Sequence, residues 1–354
     1  MNQSRTETEL FRDFIQSLPK TEIHLHLEGL ATVETIWSLI QKHKLELEGI
    51  RSREDLKKQF LVKSLDEFIS LFINIIQNSF KTESDLEYLV RDAEEYLLRN
   101  NIFYSEIFLA PSKFLQNGFD FSKIVSILDK GAREIQRKHK ITVFFIIDVS
   151  RSFGPENAMA NLNLVLENRA DSIIGIGLGG SEIQGPAKDY GEVFKKAREN
   201  KLRVVAHAGE DVEPYSIWDS LEILKAERIG HGISAIQDEK LMDHLAKTRI
   251  PLEVCPTSNL FTRHYVQALK DHPVLPFFRK GMNVTINTDD PTLFGVELVE
   301  EYMNLLNEGL FTTGEILKLV KNTHFATFMP EKQKTETWAM IQKLIDASPY
   351  TLAE

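Results

Sequence analysis

The sequence predicts an α/β fold, a (β/α)₈ or TIM barrel, and two observations carry this prediction. Eight short, almost continuously apolar runs recur along the 354 residues, and helical patterns separate them. Runs of this kind are typical of parallel strands that are buried on both faces. The alternation favours a barrel, although a doubly wound open sheet alternates in a similar way. The expected strands are TEIHLHL from Thr21, FYSEIFLAP from Phe103, TVFFIIDVS from Thr142, SIIGIGLGG from Ser172, RVVAHAGE from Arg203, ERIGHGI from Glu227, IPLEVCPTS from Ile250 and NVTINTDDP from Asn283.

The helices are predicted from apolar residues at helical spacing with charges on the opposite face. This pattern is clearest in Phe121 to Lys138 and recurs in Asp189 to Lys201 and Ser216 to Lys225. Residues beyond Thr312 also have helical patterns and are expected to form terminal helices.

A helical insertion is expected between the first two strands, from about Thr32 to Asn101. It follows the first strand on the face where barrel active sites form. One of its helices, SLDEFISLFINIIQNSF from Ser64, is expected to place Leu65 and Phe68 over the substrate as a lid. The alternative is an extra packing layer.

Composition and charge restrict the kind of protein. Apolar residues make up 42% of the chain and charged residues 27%, and no linker, repeat or low-complexity tract appears, so one domain spanning residues 1–354 is expected. The formal charge of −10 argues against nucleic acid as a partner, because Lys and Arg dominate phosphate binding. The polar N-terminal stretch and the lack of any run of about 18 apolar residues favour a cytoplasmic protein with no membrane partner.

Ionisable residues break the apolar pattern where the strands end. His24 and His26 close the first run, His207 and Glu210 follow the fifth, and His231 lies in the sixth. Residues two apart on a strand project to the same side. The eighth run ends in two acidic residues, Asp289 and Asp290. Taken singly, each of these residues could have a purely structural role. Buried charges at one barrel end are costly unless an ion compensates them, so their occurrence together favours a functional site.

This pattern predicts one divalent metal ion per chain, most readily zinc. The ligands would be His24, His26, His207 and Asp289. Such an ion with one open position activates water for hydrolysis. Glu210 is then within range to exchange protons with a substrate. His231 could orient the water or take its proton, and Asp290 could hydrogen-bond the substrate.

The same motifs resemble adenosine deaminases and their close relatives. They are LPKTEIHLHLEG from Leu18, LGGSE from Leu178, VVAHAGE from Val204, RIGHG from Arg228, CPTSN from Cys255 and NTDDP from Asn287. Their order and spacing match over most of the chain, from about Leu18 to Tyr302. The resemblance implies a metal-dependent amidohydrolase barrel with a small purine as substrate.

The resemblance also implies a role for each matched residue. His24, His26, His207 and Asp289 correspond to zinc ligands, and Glu210 to the residue that protonates N1 of the purine. His231 corresponds to the residue that positions and deprotonates the attacking water. Asp290 corresponds to the residue that hydrogen-bonds N7, and Gly180 to the glycine whose amide meets N3. The implied reaction is hydrolytic deamination of a 6-aminopurine nucleoside, with adenosine and deoxyadenosine first, releasing ammonia and, from adenosine, inosine.

The sequence departs from the adenosine deaminase pattern at two positions. Glu28 stands where an aspartate usually helps to hold the ribose, as in several adenine deaminases, and Ser181 replaces another aspartate. CPTSN, in contrast, is closer to the adenosine enzymes. A ribose hydroxyl can donate to Glu28, whereas free adenine carries no hydroxyl. This argument ranks adenosine first, aminodeoxyfutalosine second and adenine third.

Two other functions compete with deamination. One is a different metal-dependent hydrolase of the same superfamily, which would not require Glu210 and Asp290 together. The other is a catalytically silent purine-binding protein on the same barrel. Such proteins commonly lose a ligand or a proton-transfer residue, and this sequence retains them all.

Overall fold

Eight parallel strands form a barrel in chain order, each pairing with the next, as the sequence predicts. The structure is a computed structural model that describes residues 5–60, 65–262 and 266–353, without the side chains at 65, 66 and 262. The strands are β1 (Lys20–His26), β2 (Ile102–Leu109), β3 (Thr142–Asp148), β4 (Ile173–Gly177), β5 (Arg203–Ala208), β6 (Arg228–His231), β7 (Leu252–Val254) and β8 (Val284–Ile286).

The helices lie between and after the strands. They are α1 (Glu7–Ser17), α2 (Val33–His43), α3 (Arg53–Gln59), α4 (Leu65–Leu71), α5 (Leu86–Arg99), α6 (Ser112–Gln116), α7 (Phe121–His139), α8 (Gly154–Glu167), α9 (Gly191–Glu199), α10 (Tyr215–Asp219), α11 (Glu239–Thr248), α12 (Pro256–Thr262), α13 (Val274–Arg279), α14 (Pro291–Phe294), α15 (Leu298–Asn307), α16 (Thr313–Ala326) and α17 (Glu331–Asp346). Within the described ranges, none is both long and apolar enough to cross a membrane.

The insertion between β1 and β2 is helical, as expected, but the helix predicted from Ser64 is not uniform. Helix α4 ends at Leu71, and the chain continues in wider π-helical turns over Phe72–Gln77. A π turn rotates the following side chains relative to an α-helix, and such turns are frequent at functional sites. Gln77, at the end of these turns, is buried.

The segment that follows β8 meets β1 through residues that include part of the predicted site. The amide of His26 donates to the carbonyl of Asp289 at 2.9 Å, and the amide of Asp289 donates to the carbonyl of His24 at 3.1 Å. The side-chain oxygen of Asn287 accepts from the amides of Ile23 and His24. Closing the barrel therefore places the last acidic residues beside the first histidines.

A buried ionic network lies inside the barrel below these residues. Arg228 is 1% exposed, and its guanidinium lies 2.5 Å from carboxylate oxygens of both Glu106 and Glu253. It also stacks 3.8 Å from the centre of the Phe328 ring. Neither glutamate is exposed, so the arginine is the charge that compensates them.

Replacing Arg228 with Met is expected to lower the free energy of unfolding by about 3–5 kcal/mol, because two buried carboxylates lose their counter-charge. Arg203→Met is the matched control. Arg203 also stacks on Phe328 and pairs with Glu227, but its side chain is 48% exposed, so the expected loss is below about 1 kcal/mol. Urea unfolding measures both values, and equal losses would contradict the assignment.

Candidate active site

Three histidines and one aspartate converge at the carboxyl end of the barrel. His24 and His26 come from β1, His207 from β5, and Asp289 from the turn after β8. One ligand atom from each lies within 4.8 Å of all the others, and all four residues are buried. The structure thus brings together the four predicted ligands.

The distances between these atoms fit a tetrahedral metal ion. His24 Nε2 and His26 Nε2 lie 3.5 and 3.3 Å from Asp289 Oδ1, and His26 Nε2 lies 3.2 Å from His207 Nε2. Donors of a tetrahedral zinc site with bonds of about 2.1 Å are separated by about 3.4 Å. His24 Nε2 is buried without a hydrogen-bond partner among the described residues. Three imidazoles and a carboxylate are a donor set suited to zinc.

A second group of potential ligands overlaps the first. It combines His24 and Asp289 with His231 and Cys255. Burial and nearby carboxylates raise the pKa of the Cys255 thiol well above its usual value, so the sulfur is protonated at neutral pH. Metals bind the thiolate form. The set containing His26 and His207 is therefore the better zinc site.

Neighbouring side chains orient two of the proposed ligands. His24 Nδ1 lies 2.7 Å from Glu253 Oε2, and a proton shared there leaves the Nε2 lone pair facing the site. The Ser258 hydroxyl donates to Asp289 Oδ2 at 2.7 Å, which leaves Oδ1 for the ion. Carboxylates and hydroxyls commonly fix metal ligands in this way.

Glu210 and His231 lie beside this cluster, with Glu210 Oε2 3.4 Å from His231 Nε2. Burial and the nearby charge of Asp289 raise the pKa of Glu210 well above its usual value, which favours its protonated form. Burial lowers the pKa of His231 to about 3, so its ring is neutral. The Asn259 amide nitrogen lies 3.2 Å from His231 Nδ1, an arrangement that leaves the ring proton on Nε2.

Backbone strain occurs at two of these residues. His231 and Asp289 have φ values of 60° and 66°, in the left-handed region that residues with a side chain avoid. Such conformations cost about 1–3 kcal/mol and cluster at functional sites. The two turns aim the His231 ring and the Asp289 carboxylate at the same cavity, which both residues line.

Asp290 and Gly180 line the same cavity, as predicted for residues that contact the substrate. Asp290 packs so closely on Gly29 that a Cβ at Gly29 would lie 2.1 Å from Asp290 Oδ1. Burial and the charge of Asp289 raise the pKa of Asp290 well above its usual value, which favours its protonated form. Gly180 has a φ of 91°, which only glycine adopts readily.

The helical insertion forms an apolar wall of the cavity. Phe68 lines it and stacks on Phe294, with ring centres 5.4 Å apart and planes 17° apart. Phe72 and Phe153 line it as well. The side chain of Leu65, predicted to share this role, lies outside the described residues. The insertion therefore contacts the site, which is where a lid would lie.

Glu28 is fully buried behind two residues that line the cavity, Gln77 and Ala110. Its Oε1 accepts hydrogen bonds from Gln77 Nε2 at 3.0 Å and from the Ala110 amide at 3.1 Å. Its Oε2 has no hydrogen-bond partner within the described ranges. Burial raises the pKa of Glu28 to about 7. One carboxylate oxygen is thus fixed by two donors, and the other is buried without one.

Sequence reasoning missed several residues of the site. Asp148 ends β3, lines the cavity and is 3% exposed, with Oδ1 unpartnered in the described structure. Asp148 and Glu253 were detectable, because each is a carboxylate inside an apolar strand run, the signal that revealed the histidines. Gln77 carried no such signal, because its position depends on the π turns.

A donor set of this kind at the carboxyl end of a (β/α)₈ barrel is typical of metal-dependent hydrolases. The chain belongs to the adenosine deaminase family, whose model matches residues 19–344. It is 34% identical to aminodeoxyfutalosine deaminase from Streptomyces avermitilis over 336 residues, 93% of this chain and 91% of that protein. It is 32% identical to adenine deaminase from Vibrio parahaemolyticus over 323 residues, 91% and 95% of the two chains.

The fold comparison agrees with the sequence comparison. The crystal structure of adenine deaminase from Arthrobacter aurescens superposes with a TM-score of 0.88 at 27% identity, covering 93% of this chain and all of that chain. The protein is therefore an enzyme that deaminates adenine-like purines on an amidohydrolase barrel.

We expect the protein to bind one zinc ion per chain and His207→Ala to lose it, because the substitution removes one of four ligands. His139→Ala is the control, since His139 lies outside the cluster and pairs with Glu94. Plasma mass spectrometry of the purified proteins measures the zinc content. Full zinc in the His207 variant would show that the ligands are wrongly assigned.

Proposed function

We propose that this enzyme hydrolyses free adenine to hypoxanthine and ammonia with one zinc ion per chain. The observation that supports adenine is the free oxygen of the buried Glu28. Adenine carries a hydrogen on N9, which a nucleoside has replaced with ribose. The sequence analysis expects adenosine as the substrate. The similarity to two adenine deaminases and one aminodeoxyfutalosine deaminase favours adenine or aminodeoxyfutalosine instead.

The position of Glu28 supports recognition of the N9 hydrogen. Residue 28 precedes Gly29, which packs on Asp290, and the charge of Glu28 contributes to the raised pKa of Asp290. In the proposed pose, in which Asp290 meets N7, we assign Glu28 to the N9 side of the five-membered ring, because its hydrogen-bond partners Gln77 and Ala110 line the cavity. The glutamate is one methylene longer than the usual aspartate and reaches about 1.5 Å further, into the space of the ribose. The ranking from the sequence placed adenosine first because adenine has no hydroxyl group. Adenine does have a donor, however, which is the hydrogen on N9.

We assign the remaining contacts from the residues that line the cavity and from the direction of their pKa shifts. Asp290 in its protonated form donates to N7, and the Gly180 amide donates to N3. Glu210 in its protonated form donates its proton to N1, which makes C6 more electrophilic. The neutral His231, with its proton on Nε2, orients the attacking water as a hydrogen-bond donor.

The reaction balances with water as the only co-substrate. Zinc, when bound by His24, His26, His207 and Asp289, would supply the activation of that water. Oxygen adds to C6, the bond from C6 to the amino nitrogen breaks, and ammonia leaves. Of the two water protons, one ends on ammonia and the other replaces the proton that Glu210 gave to N1.

Deamination of a larger nucleoside such as aminodeoxyfutalosine is the second candidate. It is favoured by the aromatic wall formed by Phe68, Phe72, Phe153 and Phe294, which offers more apolar surface than a purine ring alone requires. A substituent on N9 could occupy this wall, but it would leave the free oxygen of Glu28 without the N9 hydrogen.

We expect the wild-type enzyme to release ammonia fastest from adenine when adenine, adenosine, deoxyadenosine, AMP and aminodeoxyfutalosine are compared. Glu210→Gln should keep zinc and lose at least about 10²–10⁴-fold in kcat, because an amide cannot protonate N1 as the acid does. Faster turnover of any nucleoside would overturn the choice of adenine. Near-normal turnover in Glu210→Gln would remove this residue from the mechanism.

Glu28→Gln tests recognition of N9 directly. Gln77 and Ala110 both donate to one oxygen of Glu28, so a glutamine must place its oxygen there and turn its NH₂ group towards N9. Two donors would then face each other. We expect kcat/KM for adenine to fall about 10- to 100-fold, the equivalent of about 1.5–3 kcal/mol for a hydrogen bond to a charged group.

Adenosine is the internal control for Glu28→Gln, because it has no hydrogen on N9. Its slower turnover should change much less than that of adenine. Equal losses for the two substrates, with zinc content unchanged, would show that Glu28 supports the structure of the site and does not distinguish the purine.

A further inference from the structure

The loop after β4 holds the segment that carries Glu210. Glu182 in this loop is 2% exposed, and its carboxylate accepts hydrogen bonds from three consecutive backbone amides after β5. Oε2 accepts from Gly209 at 2.9 Å, and Oε1 accepts from Glu210 at 2.8 Å and Asp211 at 3.3 Å. The Ser216 hydroxyl also donates to Oε2. Hydrogen bonds to a charged carboxylate are strong, so these four donors fix the position of Glu182 and Glu182 fixes the backbone of residues 209–211.

The backbone after β5 is shaped to present these amides. Gly209 has a φ of 70°, and a Cβ there would lie 2.3 Å from the Ser234 hydroxyl oxygen and 2.6 Å from Ile217 Cδ1. The turn can therefore form only with glycine at this position. Successive N–H groups in a turn of this kind converge on an anion. In this protein the anion is a side chain of the neighbouring loop.

A second buried charge holds the start of the same segment. Arg151, after β3, donates through one guanidinium nitrogen to the carbonyl of His207 at 2.6 Å and through the other to the carbonyl of Gly185. Arg151 and Glu182 thus secure the two sides of residues 207–211. This segment contains both a proposed metal ligand and the proposed proton donor.

We propose that Glu182 is a positioning residue that fixes Glu210 against the substrate by binding the backbone amides of residues 209–211. The proposal rests on the proposed function, in which Glu210 protonates the purine. Both carboxylate oxygens of Glu182 already accept hydrogen bonds from the backbone or from Ser216, and Glu182 does not line the cavity, so it acts through Glu210 and not on the substrate. A displacement of about 1 Å at a catalytic group can cost about 10²-fold in rate.

Glu182→Gln is the informative substitution. The glutamine side chain has the same size as glutamate, but one of the two oxygens is replaced by an NH₂ group. Because both oxygens accept from backbone amides in the wild type, the NH₂ group faces at least one amide donor, and that hydrogen bond is lost. We expect kcat to fall about 10²-fold with zinc content unchanged and KM changed less than threefold. Ser216→Ala is the matched control, because it removes the fourth donor and leaves the three amides bound, so kcat should stay within threefold.

A double-mutant cycle separates positioning from general support of the site. If Glu182 acts through the Glu210 carboxyl group, Glu182→Gln should have no further effect on kcat in the Glu210→Gln background. If the two losses multiply instead, the proposal is overturned. A normal kcat in Glu182→Gln would overturn it as well.

Amide hydrogen exchange tests the same contact without using the reaction. In the wild-type protein, the amides of residues 209–211 should exchange at least 10²-fold more slowly than an unprotected loop, and Glu182→Gln should remove this protection. Fast exchange in the wild type would overturn the proposal even if the variant does not fold. If no 6-aminopurine is a substrate, the proposed function fails while the protection remains measurable.

Discussion

The contact between the turn after β8 and strand β1 is the constraint on which the site depends. Hydrogen bonds from His26 to Asp289 and from Asp289 to His24 bring together residues more than 260 positions apart in the chain. The same bonds set the Asp289 carboxylate 3.3–3.5 Å from two imidazoles. His207 reaches the cluster from the opposite part of the barrel. The contacts that join the two ends of the barrel are therefore also the ones that place the proposed metal ligands together, and Asp289 adopts a strained left-handed backbone there.

Burial then determines how each carboxyl group around the cluster behaves. Asp289 faces imidazoles and has a pKa well below its usual value. Glu210 and Asp290 face other carboxylates in the same buried space, and their pKa values are raised. Their surroundings thus shift the pKa values of chemically similar groups in opposite directions. In the proposed mechanism, Asp289 acts as an ionised metal ligand, and Glu210 and Asp290 act as hydrogen-bond donors.

Much of this arrangement was predictable from the sequence. The eight strands were predicted correctly because parallel strands buried on both faces give continuous apolar runs, and the histidines stood out because they interrupted those runs. The wide turns at Phe72–Gln77 were not predictable, because α- and π-helical turns share one hydrophobic pattern. Gln77 was missed for that reason. Substrate choice was harder still, because the proposed role of Glu28 depends on which of its oxygens has no partner after the fold has formed.

The central claim is that the cluster of His24, His26, His207 and Asp289 is completed by one zinc ion. The most direct test is to titrate metal-stripped wild-type protein with zinc. The melting temperature and the rate of adenine deamination are measured at each step of the titration. The account predicts that both rise in parallel and reach a plateau at one zinc per chain, because an ion that binds only the folded state stabilises it. Full activity in the stripped protein, or a melting temperature that zinc does not change, would contradict it.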